Sequence, residues 1–167
     1  MVRQLSFPTD EDGFLRRECP FCKKEFKLLF NQQEINELSE SSLENFMLEK
    51  NTDCENEEIH NGIDQIEFIC PYCGQKAQSN SWWTTEQVAY IRVVANNMAK
   101  DIIRKHLSRS NHKSFLKINK DNNQQQDEWI SPEMNYMMIF NLPCCERQIK
   151  VYDDWSQKIF CFFCGFP

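Results

Sequence analysis

Apolar and polar positions along this chain fall into stretches of two different periods. After residue 22 the chain runs Lys23-Lys24-Glu25-Phe26-Lys27-Leu28, and after residue 145 it runs Glu146-Arg147-Gln148-Ile149-Lys150-Val151. Both carry apolar side chains at the fourth and sixth places, the two-residue period of a strand with one buried face. The alternation Met134, Tyr136, Met138, Phe140 predicts a further strand of the same kind. A helical period appears elsewhere. Ile35, Leu38, Leu43, Phe46 and Met47 recur at helical spacing behind Asn31-Gln32-Gln33-Glu34, a capping box, and Ser41-Ser42-Leu43-Glu44 offers a second box. One broken helix or a helical hairpin is expected over about 32–50. The clearest helix follows Thr84-Thr85-Glu86-Gln87, where Val88, Ile91, Ala95, Met98 and Ile102 form an apolar stripe predicted to run from Thr85 to Leu107. Residues 51–65 read as a polar loop. Ser108 to Asp127, with Asn122-Asn123-Gln124-Gln125-Gln126, read as a linker.

Cysteines punctuate the strands. Cys19/Cys22, Cys70/Cys73 and Cys161/Cys164 are C-x-x-C pairs, Cys144/Cys145 are adjacent, and Cys54 stands alone. Acidic residues in Met1–Gly13 leave no apolar stretch for a signal peptide, and no apolar run approaches the roughly 18 residues a spanning helix requires. A cytoplasmic protein is therefore expected. A reducing compartment does not sustain structural disulfides. Nine cysteines there divide as two four-thiolate metal sites plus a spare thiol.

The second halves of the two strand regions also match. Phe68-Ile69-Cys70-Pro71-Tyr72-Cys73-Gly74 aligns with Ile159-Phe160-Cys161-Phe162-Phe163-Cys164-Gly165. Each half of the chain thus reads as a cysteine turn leading into a strand, a connection, and a strand entering a second cysteine turn. Structural Zn²⁺ takes four ligands tetrahedrally, and two cysteines separated by two residues reach one ion from a tight turn. Gly74 and Gly165 supply the positive φ such a turn requires. Fifteen residues separate Cys145 from Cys161, within the range of such sites, whereas 47 separate Cys22 from Cys70 and imply an insertion. Aligning Cys145 with Cys22 puts Leu142 where Cys19 stands. Either Cys144 serves from its adjacent position, the preferred reading, or the second site holds three cysteines and another group.

These knuckles resemble those of the zinc-ribbon superfamily, over about 70 of the 167 residues. The resemblance implies two structural zinc ions and a role in binding protein or nucleic acid. The expected architecture is α+β. Ribbon 1 spans 14–109 with an insertion at 31–66 and a helix at 85–107, a linker covers 110–128, and ribbon 2 spans 129–167. The expected ligands are Cys19, Cys22, Cys70 and Cys73 at site 1, and Cys144, Cys145, Cys161 and Cys164 at site 2. Trp82 and Trp83 should pack against ribbon 1, and Trp155 should cover ribbon 2.

Rival chemistries have less support. Cys70-Pro71-Tyr72-Cys73 spells a glutaredoxin-like redox motif, but such a motif opens a helix, and here Gly74 and a polar stretch follow. Cys54 and His60 lie six apart without a second knuckle and read as a surface thiol and a solvated histidine. His106 and His112 match no metal motif, and no nucleophile triad or phosphate-binding glycine loop appears, so no enzyme is expected. Charge is segregated. Residues 31–69 carry 11 acids and one Lys, while residues 81–120 carry eight Lys/Arg against Glu86 and Asp101. The overall charge of −6 disfavours unspecific nucleic-acid binding. The expected function is a non-catalytic, zinc-dependent module that docks onto a protein partner, with neither membrane nor small-molecule substrate. The alternative is nucleic-acid binding through Arg92, Lys100, Arg104, Lys105, Arg109, Lys113 and Lys117.

Overall fold

Both strand-period stretches are the second arm of a hairpin whose turn carries cysteines. In the computed structural model, which describes residues 5–49, 66–109 and 129–167, strand β1 (Phe14–Glu18) pairs with β2 (Glu25–Leu29), and β5 (Met138–Asn141) pairs with β6 (Gln148–Val151). The hairpins join through β2 and β6 into one antiparallel sheet of order β1-β2-β6-β5. A second hairpin sheet, β3 (Glu67–Ile69) with β4 (Lys76–Gln78), carries the Cys70/Cys73 turn. Two helices complete an α+β fold: α1 (Gln32–Glu49) and α2 (Thr85–Arg109).

The sequence repeat is a structural repeat about a local twofold. Lys27 lies opposite its match Lys150 across the β2–β6 junction, which puts the local axis there and sets Leu28 opposite Ile149, the match of Phe26. Lys23 (φ 60°) and Glu146 (φ 55°) take the left-handed conformation at matching places in the two turns. On the other knuckles the Ile69 N–H donates to the Phe162 carbonyl at 2.9 Å, and the Phe160 N–H donates to the Pro71 carbonyl at 2.9 Å. Those two bonds interchange under the same equivalence. So do the close approaches at the glycines: a Cβ on Gly74 would meet Phe160 at 3.3 Å, and one on Gly165 would meet Ile69 at 2.5 Å. Each knuckle glycine is therefore held by its φ and by the other copy.

The two faces of the sheet differ. Phe26, Leu28, Ile149 and Val151 are buried on one face against Trp82, Tyr72, Phe162 and the knuckles. Beside them Leu15 joins Leu5, Phe7, Ile35, Trp83, Ile91 and Val94 where the helices close over β1. The opposite face holds a buried ionic network centred on the twofold. Asp10 accepts from Lys27 at 3.2 Å and from Lys150 at 2.9 Å, while Glu133 pairs with Arg16 at 3.0 Å and Lys27 at 3.4 Å. Burial would raise the Asp10 carboxyl, but bonds from Lys150, the Phe14 N–H and Lys27 outweigh it and hold it below its ordinary range.

Both helices start at reciprocal caps. The Glu34 N–H donates to Asn31 Oδ1 at 2.9 Å and the Asn31 N–H to Glu34 Oε2 at 2.8 Å, and Thr84 and Gln87 exchange bonds of 2.9 and 3.2 Å. α1 is one continuous helix rather than a broken one. With no Gly or Pro between residues 32 and 49, nothing interrupts it, and the Ser41-Ser42 pair lies within its span. The alternation at Met134–Phe140 is the larger correction. Strand β5 begins only at Met138, and Met134, Tyr136 and Met138 are exposed while Met137 is buried. Residues 133–136 instead cross the ionic face, where the Met134 carbonyl accepts from Lys27 and Asn135 Oδ1 accepts from Lys150 at 2.8 Å. Those backbone and side-chain bonds override the alternation. The residues expected to be loop at 51–65, and most of the expected linker, lie outside the described residues. Among the described residues no helix is long and apolar enough to cross a membrane.

Candidate metal centres

Each cysteine turn is wound by its own backbone. The Lys23 N–H donates to the Cys19 carbonyl at 3.1 Å and the Cys19 N–H to the Lys24 carbonyl at 3.0 Å; Gly74 and Gln75 close the Cys70 turn in the same way at 3.0 and 2.9 Å. The third and fourth residues of these turns aim their N–H groups at the first sulfur. Cys19 Sγ accepts from Phe21 and Cys22, each at 3.4 Å, and Cys70 Sγ accepts from Tyr72 at 3.4 Å and Cys73 at 3.5 Å. Such bonds favour thiolate, the form that binds metal.

Within each copy the two turns come together, the twofold relates one pair of turns to the other, and the donor set fits a tetrahedral metal. Metal–sulfur bonds of about 2.3 Å imply sulfur–sulfur edges of about 3.8 Å. In the first group the edges Cys19–Cys73 and Cys22–Cys70 are both 3.7 Å, and all four sulfurs lie within 4.8 Å of one another. In the second, Cys145–Cys161 is 3.7 Å and Cys144–Cys164 is 3.4 Å. Cys144, Cys161 and Cys164 form a set within 4.8 Å, to which Cys145 attaches through Cys161. Two cysteine-rich groups can thus each hold a metal ion.

The equivalence explains how an adjacent pair works here. Leu142 occupies the backbone place of Cys19, with matching bonds from the Glu146 N–H to its carbonyl at 3.1 Å and from its own N–H to Arg147 at 2.8 Å. Its side chain is buried in the core. Cys144 Sγ nevertheless touches Cys164, as Cys19 touches Cys73, while Cys145 keeps the contact that Cys22 makes. Among the described residues, the second group also lacks the sulfur-directed backbone N–H bonds of the first, at Cys161 as well as at the replaced position.

Electrostatics follow burial. Burial pushes the Cys19 and Cys70 thiols up, against their N–H donors. At Cys73 burial also opposes ionisation, but the Gln75 N–H and the neighbouring Cys70, Cys19 and Cys22 thiols hold it below the ordinary thiol range. Lost hydration, then the Cys161, Cys164 and Cys145 thiols, push Cys144 up to about 12. A metal ion entering either group therefore displaces protons from crowded thiols.

Aromatic side chains surround both groups, and of these only the three tryptophans were expected from the sequence. Phe162 is stacked on Phe68 at 4.6 Å and meets Trp82 at 5.2 Å and Phe26 at 5.4 Å, forming an apolar wedge beside both groups. The Tyr72 hydroxyl donates to the Glu25 carbonyl at 2.8 Å and accepts the Tyr152 N–H at 3.1 Å, fastening the first group's knuckle to the second copy. Trp82 is buried in the wedge and Trp83 stacks on Phe7 at 4.6 Å, with the Arg17 guanidinium 4.0 Å above its ring. Trp155 packs edge-on against Tyr72 at 4.9 Å, so it covers the first group's knuckle as well as its own loop.

Other candidate residues scatter. Arg92, Arg104 and Lys105 are exposed on α2, Lys100 is half-buried, and Arg104 pairs with Asp101 at 3.4 Å. His106 is exposed on the same helix, remote in sequence from any knuckle. The side chain of Arg109, together with Lys113, Lys117, His112, Cys54 and His60, lies outside the described residues.

Fold and site together define a small α+β protein with two cysteine-rich groups that can bind metal. No protein-family model matches the chain, and neither a curated protein nor a solved structure matches it.

Proposed function

We propose that the protein is a structural-zinc module of the cytoplasm that presents a rigid surface to a protein partner and performs no chemistry of its own. The observation that carries this reading is the pair of opposite sulfur–sulfur edges at 3.7 Å in the first group, with edges of 3.7 and 3.4 Å at the equivalent places in the second. All-thiolate donors at tetrahedral spacing suit Zn²⁺ and leave no open position for a reacting water. Support against a thiol oxidoreductase comes from Cys70 and Cys73. Each is engaged with the other turn's cysteines, and the chain continues into β4 rather than a helix.

Native mass spectrometry tests the reading. Two zinc ions per 20.0 kDa chain are expected, and chelation should abolish the circular-dichroism signal of the strands, because metal-binding energy is folding energy. One ion, none, or iron in place of zinc would overturn it. A second reading, nucleic-acid binding, rests on exposed Arg92, Arg104 and Lys105 along one helix. It requires binding that falls steeply with salt, whereas a protein-docking module shows none at physiological ionic strength.

A further inference from the structure

The local twofold makes it possible to ask of any surface what covers its counterpart. Strand β1 is the outer strand of the first copy and β5 the outer strand of the second. Leu15, Arg16 and Glu18 correspond to Met138, Ile139 and Asn141. The edge of β1 is closed by the chain itself. The Glu18 N–H donates to the Trp82 carbonyl at 2.9 Å, the Arg16 carbonyl accepts from Gln87 Nε2 at 3.0 Å, and Leu15 is fully buried under the helices.

Nothing among the described residues does this for β5. Met138 is 49% exposed and Ile139 44%, and Met134 and Tyr136 just ahead of them are 69% and 46% exposed. From Met134 to Cys145 the chain has no charged side chain, and β5 has no proline. Edge strands that stay single are guarded by lysines, prolines or bulges. Among the described residues this one presents apolar side chains and an open row of main-chain donors and acceptors.

We propose that the outer edge of β5 pairs antiparallel with β5 of a second copy of this chain, extending the four-stranded sheet to eight strands across a true twofold. Three observations select a second copy over another occupant. An uncharged strand is complementary to itself in antiparallel pairing, with no like charges brought opposite. The chain already joins its own two hairpins in this way, Lys27 against Lys150 about the local twofold. Its other edge, β1, is capped, so pairing stops at two copies instead of running into a fibre.

The equivalence fixes which main-chain groups point outward, and the proposed register centres them on Ile139. Arg16 offers its carbonyl and Glu18 its N–H outward, so Ile139 and Asn141 do the same on β5. Ile139 then lies opposite Ile139 of the second copy, exchanging both main-chain bonds, and Met138 covers Phe140 of that copy. The pairing requires neither group's metal as a bridge and is independent of which partner the module docks onto.

Light scattering on the metal-loaded full chain, over a dilution series from about 200 to 2 μM, tests the inference against the micromolar range of small interfaces. The expected mass at high concentration is twice the 20.0 kDa of the chain, falling to that of one chain on dilution. Ile139→Lys, an exposed change, should give one chain's mass throughout, with two metal ions still bound. In wild type, the amide protons of Ile139 and Asn141 should exchange at least tenfold more slowly in the dimer, a readout that needs no variant. A single-chain mass at every concentration overturns the proposal but leaves the two-zinc reading standing. A dimer that survives Ile139→Lys, a larger assembly, or unchanged exchange at Ile139 and Asn141 also overturns it.

Discussion

The two cysteine groups are the same device built twice, and their differences show what each part of a knuckle contributes. In the first, two C-x-x-C turns place four sulfurs on two 3.7 Å edges, with four N–H groups donating to Cys19 and Cys70, both buried. In the second, Leu142 fills the first cysteine's place, and the sulfur is supplied two residues later by Cys144, which is exposed where Cys19 is buried; Cys73 and Cys164 are exposed in both groups. The geometry of the turn survives intact at Leu142 and Glu146. The backbone therefore winds the turn without a sulfur at its start. What the missing cysteine removes is one buried sulfur with its two N–H···S bonds; Cys161 stays buried as Cys70 is, but among the described residues it receives no N–H bond either. The first group should be the permanent anchor of the fold and the second the exchangeable one.

The harshest break in that comparison is Cys70→Ser. Cys70 is fully buried, receives two N–H bonds and lies beside the aromatic wedge. Losing it should empty the first group and unfold the chain, seen as loss of the sheet signal and insolubility on expression. Cys164→Ser, at the exposed corner of the second group, should remove one metal ion and leave a soluble, folded protein. If Cys73→Ser, the equally exposed equivalent in the first group, leaves a soluble, folded protein as Cys164→Ser does, the asymmetry is wrong.

A change on the twofold should weaken both copies together. Asp10 accepts from Lys27 of the first copy and Lys150 of the second. Asp10→Asn keeps the shape but removes the carboxylate shared by two buried ammonium groups, leaving Lys27 with Glu133 and Lys150 with Asp12, and should cost about 2 kcal/mol. Because the folded protein lowers the Asp10 pKa, its contribution is present above the unfolded value of about 3.9 and is lost as pH falls through the lower, folded value. Urea titrations of wild type and variant should therefore differ by a constant amount from pH 8 down to about 5.5. A gap that closes within that window would mean that another group carries the effect.

Much of this was legible in the sequence, for a physical reason that differs by element. Capping boxes are local, and Asn31/Glu34 and Thr84/Gln87 start their helices where the residues place them. The knuckle repeat was visible because strand period and cysteine spacing must coincide to bring four sulfurs together. What stayed hidden depends on contacts between the copies. Lys27 and Lys150 read as the outward residues of two half-exposed strands, yet they are buried because the twofold sets them face to face over Asp10. Met134 to Phe140 alternate like a strand, but the pull of Lys27 and Lys150 on Met134 and Asn135 overrides that period. The buried N-terminal Leu5 and Phe7 gave no periodic signal, since they pack singly against the helices rather than along an element.

A milder test is the order in which metal leaves. One hydrogen bond to a charged sulfur is worth about 1.5 kcal/mol, close to tenfold in affinity, and the first group has four that the second lacks. Titration with a chromophoric chelator should show two release steps separated by at least about tenfold in chelator concentration. The first step should leave helicity unchanged, and native mass spectrometry of Cys164→Ser should show only the second. Simultaneous release would put the two groups on an equal footing.

The smallest expected effect is also the most specific, because it repairs the second group instead of damaging it. Leu142→Cys combined with Cys144→Ser restores the C-x-x-C spacing with Cys145, on a turn whose N–H groups already lie where those of Phe21 and Cys22 lie at the first group. The new sulfur then starts from the buried place of Leu142, and the N–H groups of residues 144 and 145 gain an acceptor. The loss of Leu142 from the core opposes this gain. Leucine exchanged for a smaller apolar side chain costs about 2 kcal/mol or more of fold stability, although a cysteine bound to metal recovers part of that volume. The two effects are read separately. Urea denaturation should show a protein of equal or slightly lower stability, while the chelator titration should show the first release step moving toward the second by about three- to tenfold. If affinity at the second group falls instead, the adjacent pair Cys144/Cys145 is the better donor set on this turn, and its weakness relative to the first group must come from exposure alone. Leu142→Cys with Cys144 retained separates those causes. It adds the buried sulfur without removing the exposed one, and a gain there but not in the double variant would show that Cys144 binds in its own right.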